Sequence, residues 1–116
     1  MKKDDRLYLI HIKECIEKID RYSANGRAEF LRNTMVQDAI VRNLQTLAES
    51  TQRLSDKTKQ RKPEVDWRAI AGFRNVVVHD YLGVDLERIW HIIEHDLPGL
   101  KTHINALLVE SEESLL

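Results

Sequence analysis

Apolar side chains recur at helical rather than strand spacing from the start of the chain. In DDRLYLIHIKECIEKIDRY, Leu7, Ile10, Cys15, Ile16, Ile19 and Tyr22 gather on one broad side of a helix running from about Asp5 to Tyr22. The acidic pair Asp4-Asp5 suits the positive end of that helix, and SANG ends it, with Gly26 able to take a left-handed cap. A second stripe of Val36, Ile40, Leu47 and Leu54, with Val41, Leu44 and Ala48 beside it, marks a longer helix over roughly Ala28 to Lys57. A break is expected near Asn33-Thr34, where Thr34 and Gln37 have capping-box spacing. A stripe this wide buries against more than one neighbour. Turn-rich all-β folds need more Gly and Pro than the 4 and 2 present, so the fold class is all-α.

The run KTKQRKPE is the clearest loop, closed by Pro63, and Asp66 caps a third helix that begins DWRAIAGF. After RNVVVHDY, LGVD makes a short turn and Asp85 caps a fourth helix through about His95. Pro98 is expected to start a fifth, PGLKTHINALLVE. The expectation is an up-and-down bundle of about five helices over residues 1–110, with an acidic tail at 111–116. Its 116 residues make one domain with a modest core, which oligomerisation would help.

Charge and cysteine usage exclude several roles. A net charge of −1 argues against a general nucleic-acid coat, which needs excess cations, but leaves room for a local cationic cleft. A single cysteine, Cys15, can form neither an intrachain disulfide nor a thiol zinc site, which fits a reducing cytoplasm. The start MKKDDRLYLIHIKE does not read as a signal peptide, and no stretch is long enough to cross a membrane.

The segment RNVVVHDY, residues 74–81, places a cation, an imidazole and a phenol close together in sequence. On a helical wheel Arg74 falls among Trp67, Ile70, Ala71, Val77 and Val78, so a buried pair with Asp38 or Glu49 is one reading. Arg68, Gly72, Asn75 and His79 share a second face, where Asn75 and His79, four apart, can meet. In a regular helix positions 74 and 79 point about 140° apart. To act on one phosphate, either the helix gives way before His79 or two subunits share the cleft. Three consecutive valines make weak helix and permit the first option.

Arg74, four intervening residues, His79, one residue and Tyr81 resemble the R-x4-H-x-Y signature of HEPN-domain ribonucleases, and more narrowly of HepT-like toxins. DAIVRNLQTLAES at 38–50 is similar to that family's long second helix, and LERIWHIIEHDLPGLKTHI at 86–104 to its closing pair. One departure is Ala48-Glu49, where the family often has Gly-Glu; it touches helix packing and leaves the motif intact. The resemblance implies a HEPN-like fold, a metal-independent endoribonuclease without cofactor, and the toxin role in a toxin–antitoxin pair. It implies Arg74 and His79 as catalytic; Asn75, by its own chemistry, can orient the histidine or the phosphate. The resemblance also implies a homodimer with RNA as substrate, and a higher hetero-oligomer with a nucleotidyltransferase antitoxin that attaches AMP to Tyr81. The residue types suit that chemistry. A histidine with pKa near ~6.5 can exchange the proton of a ribose 2′-hydroxyl, and a guanidinium can hold phosphate oxygens as charge builds. The rival reading is a non-catalytic HEPN module that binds nucleotide or a partner protein through the same cleft.

Other features read more plainly. HIIEH at 91–95 matches a zinc-peptidase pattern, but Leu86, Ile89, Trp90, Ile93 and Leu97 form the core stripe and leave both histidines facing solvent. No metal site is expected there. Lys57, Lys59, Arg61 and Lys62 form the one concentrated basic run, which reads as soluble surface or as a contact for RNA or an acidic partner. Trp67 and Trp90 read as core residues, and Asn43, in register with Ile40 and Leu47, as a polar group that fixes helix pairing.

Overall fold

The computed structural model describes the backbone of residues 2–83 and 86–113 and the side chains of residues 2–75 and 86–112. Its described residues form an all-α bundle. Helix α1 spans Lys3–Tyr22 and buries Leu9, Ile12, Cys15, Ile16 and Ile19. Leu7 and Tyr22, expected on that face, are instead exposed, because the 9/12/16/19 spacing turns the buried stripe away from both ends. The helix stops at Ser23, whose hydroxyl donates to the Ile19 carbonyl at 2.7 Å. Gly26 then takes φ 91°, a value that costs other residues strain, and leads into α2, Arg27–Arg32.

The break expected near Asn33-Thr34 is present, with a different cap. Asn33 Oδ1 accepts from the Val36 N–H at 3.2 Å, and Gln37 Nε2 donates to the Phe30 carbonyl at 2.9 Å. Asn33 therefore caps α3, Thr34–Arg53. This helix ends before Lys57 because Ser55 caps a separate short α4, Asp56–Gln60, accepting from the Thr58 N–H at 3.3 Å. Asp5 ties this joint to the start of α1. Its carboxylate accepts from the Ser55 N–H at 3.0 Å, the Ser55 hydroxyl at 2.6 Å and the Thr58 hydroxyl at 2.7 Å. Burial pushes the Asp5 pKa up, but the bonds from Ser55 and Thr58, aided by Lys2, outweigh it and hold the group below its ordinary value.

Helix α5 spans Trp67–Gly83 and starts at Asp66, which accepts from the Ala69 N–H at 3.0 Å. The Trp67 indole donates to the carbonyls of Lys59 and Lys62 at 3.0 and 3.1 Å, fastening the preceding loop. Asp85, the expected cap of the next helix, lies outside the described residues. Helix α6, Leu86–His91, passes through a π turn at Ile92–Asp96 into α7, Leu97–Glu113. The two expected helices are thus continuous at Pro98. Its ring removes one helical hydrogen bond, and the wider turn before it absorbs the ring without ending the rod. Helix α7 also takes in the first residues of the expected tail, with Ser111 buried.

Helix α3 packs against both α1 and α5, and α7 packs against α1. The core joins α1 and α3 residues to Phe30, Ile70, Phe73, Ile89, Leu100, Ile104 and Leu107, with Trp90 against Phe30 at 5.5 Å between ring centres. The Arg27–Glu87 ion pair links α2 to α6. No helix among the described residues is long and apolar enough to cross a membrane.

Candidate active site

Helix α5 carries the motif, and its buried side decides where the motif faces. Ile70 and Phe73, three apart, are buried against the core, and Arg74 is turned outward. The expected burial of Arg74 is therefore overturned. Weighting the wheel by Ala71 rather than by the much larger Phe73 rotates the apolar face toward the arginine. Size is the signal that corrects it, since buried area scales with side-chain surface.

Of the two candidate partners for Arg74, Glu49 is found, with Nε 3.8 Å from Oε1 and both side chains about half exposed (53% and 52%). A pair this long and wet is weak, worth at most about 1 kcal/mol. The guanidinium is held toward α3 yet remains available to another anion. Asn75 is exposed beside it. The backbone of α5 stays helical through Gly83, so the helix does not give way between positions 74 and 79. The side chains of His79 and Tyr81 lie outside the described residues.

The other sequence features resolve as structure. His91 and His95 are exposed, with ring centres 4.4 Å apart, and His95 lies 3.4 Å from Glu94. No group of three potential ligands is placed to hold a metal among the described residues. Arg61 and Lys62 of the basic run both pair with Glu110 of α7, at 3.0 and 3.2 Å. Asn43 donates to Ala39 of its own helix at 2.8 Å rather than to a neighbouring helix.

The family model for HepT-like ribonucleases matches residues 12–107, which includes Arg74, His79 and Tyr81. The chain belongs to this HepT-like family. Its relatives include a "Probable ribonuclease HepT" of Thermococcus cleftensis, 33% identical over 87% of this chain and 93% of that protein. An "mRNA nuclease HepT" of Shewanella oneidensis is 24% identical, over 85% of this chain and 92% of its own length. A Methanocaldococcus jannaschii protein named for a gamma-glutamylcyclotransferase as well as an RNase is 30% identical over 98% of this chain. The chain spans only 52% of that last relative, so this HepT-like unit corresponds to about half of the larger protein. No solved structure matches the chain.

Proposed function

We propose that this protein is a metal-independent endoribonuclease acting as a cytoplasmic toxin, restrained by a nucleotidyltransferase antitoxin that adenylylates Tyr81. The observation that carries the reading is HepT-like family membership over a segment containing a complete R-x4-H-x-Y motif. The Shewanella relative's name gives mRNA as what that protein acts on, which favours RNA as the substrate class.

In this mechanism His79 takes the proton from a ribose 2′-hydroxyl, and the freed oxygen attacks the adjacent phosphorus. The bond to the 5′-oxygen breaks, and that oxygen takes a proton from the His79 imidazolium or from water as it leaves. The products carry a 2′,3′-cyclic phosphate and a 5′-hydroxyl. Arg74 binds the non-bridging oxygens as negative charge grows on them. Its weak, exposed contact with Glu49 lets a phosphate replace the carboxylate at little cost. Asn75 supports His79 one turn away.

The helix geometry, taken with this chemistry, supports a homodimer. Positions 74 and 79 point about 140° apart on a continuous helix. One phosphate is then reached most directly by Arg74 from one subunit and His79 from the other. Replacing Arg74 or His79 by Ala should lower RNA cleavage by at least ~10²-fold while leaving the helical circular-dichroism signal intact. A folded His79→Ala protein that cuts RNA at near wild-type rate would remove His79 from the mechanism.

A further inference from the structure

We infer that the groove between α1 and α3 is a track for the sugar–phosphate backbone of single-stranded RNA, leading toward Arg74. The inference rests on the ribonuclease reading above and extends it to a second, non-catalytic binding surface. The groove encloses about 380 Å³ and is lined by His11, Lys18 and Tyr22 of α1 and by Arg42, Asn43 and Thr46 of α3, with no carboxylate in its lining.

Charge is the first reason. Lys13, Arg27, Arg32, Arg61, Lys62 and Lys101 each have a carboxylate partner. Lys18 and Arg42 take part in no ion pair among the described residues, and both are exposed. Several other described cations also lack an ion pair; what sets Lys18 and Arg42 apart is that both line one concave strip with no carboxylate in its lining, which suits an anion.

The remaining lining groups suit RNA. Thr46 donates its hydroxyl proton to the Arg42 carbonyl at 2.9 Å, so its oxygen is left to accept from a ligand. Asn43 uses one N–H on Ala39 and keeps its carbonyl oxygen and second N–H free to bond a ligand. His11 Nδ1 lies 3.1 Å from the Ser50 hydroxyl, which fixes the ring and leaves Nε2 for a ligand. Tyr22, 37% exposed at the α1 end of the groove, offers a ring on which a base can stack. Cys15 in the groove floor is buried, and that burial pushes its thiol pKa up, so the groove offers binding rather than a nucleophile.

Position is the second reason. Arg42 and Glu49 are seven residues apart on α3, two turns and roughly 10 Å along the same outward ridge. Glu49 is the residue that contacts Arg74. A strand lying along this ridge passes from the groove to the candidate catalytic arginine without crossing the core.

The test is fluorescence anisotropy with a labelled 2′-O-methylated pyrimidine oligomer, which binds but cannot be cleaved, run beside an RNA cleavage assay. The proteins compared are wild type, the Lys18→Ala/Arg42→Ala double variant and the charge-conserving Lys18→Arg/Arg42→Lys pair. The double variant should bind at least ~10-fold more weakly at moderate salt. Its log–log salt slope should shrink by about 1.4, or about 0.7 for each phosphate no longer neutralised. The charge-conserving pair should restore most of both. Wild type that cleaves RNA while the double variant binds with unchanged affinity and slope overturns the groove and leaves the ribonuclease reading intact. Wild type that binds through Lys18 and Arg42 but cleaves no RNA supports the groove and fails the ribonuclease reading. A groove that binds polyglutamate and not the oligomer overturns the proposal in favour of an acidic protein partner. Weaker binding accompanied by a change in sedimentation also overturns it, since the residues would then lie between subunits.

Discussion

Two inactive variants, Arg74→Ala and His79→Ala, should restore one another when mixed. The basis is the unbroken helix α5, Trp67–Gly83, which contains both positions. Five residue steps along it turn the chain through about 500°, leaving the two positions about 140° apart and about 7.5 Å apart along the axis. In a twofold dimer each cleft then takes its arginine from one subunit and its histidine from the other, and two equivalent clefts result. Co-refolding equal amounts of the variants makes half of the dimers mixed. Each mixed dimer has one cleft with both residues intact and one with neither, so total activity should recover to about 25% of wild type. Each variant alone should show no more than about 1%, the consequence of losing an acid–base or charge-stabilising group. The contrast of roughly 25-fold is easily read by cleavage of a fluorogenic RNA. Isolating the mixed dimers with two affinity tags should raise recovery to about half. A co-refolded mixture that stays at the level of the single variants would refute a shared cleft and place Arg74 and His79 of one chain at the same phosphate.

Tyr81→Phe should keep most ribonuclease activity but escape inhibition by a partner nucleotidyltransferase and ATP, since on the proposed reading an adenylyl phosphodiester on Tyr81 would take the place of the substrate's phosphate. Intact-mass measurement decides it, and an adduct that still forms on the Phe variant would put the control site elsewhere. Asp5→Asn should cost about 2 kcal/mol of stability at neutral pH, because the bonds it removes are to a charged acceptor. The Asp5 pKa is lowered by folding, so its contribution is full above the unfolded value of about 3.9 and disappears as pH falls through the folded value. Urea unfolding should therefore show a gap between wild type and variant at pH 7 that narrows toward pH 3; a gap of constant size would contradict the assignment.

Much of the fold is legible in the sequence because helical periodicity reports burial directly. The α3 stripe around Ile40, Leu44 and Leu47, the Asp66 cap and the outward-facing His91 and His95 are where their spacing puts them. What escapes reading depends on tertiary neighbours. Nothing local marks Asp5 as the acceptor for Ser55 and Thr58, some fifty residues away, or Glu110 as the partner of Arg61 and Lys62. The joint at Pro98 misleads because proline usually opens a helix, whereas a π turn lets this one continue. At the candidate site the motif itself is visible in sequence, and Glu49 is one of the two partners that the wheel suggests. The outward aim of Arg74 is not visible there, because a wheel built on residue count gives Ala71 the same weight as Phe73.

The proposed reading requires this HepT-like chain to cut RNA with its own side chains. Its most direct test is the incubation of purified wild-type protein with single-stranded RNA in excess EDTA, with product ends analysed by mass spectrometry and His79→Ala protein as the control. Wild type should cleave undiminished, giving fragments that end in 2′,3′-cyclic phosphate and 5′-hydroxyl, and the variant should give none. Cleavage that stops on chelation and returns with added divalent metal would contradict it, as would a folded wild-type protein that cuts no RNA at all.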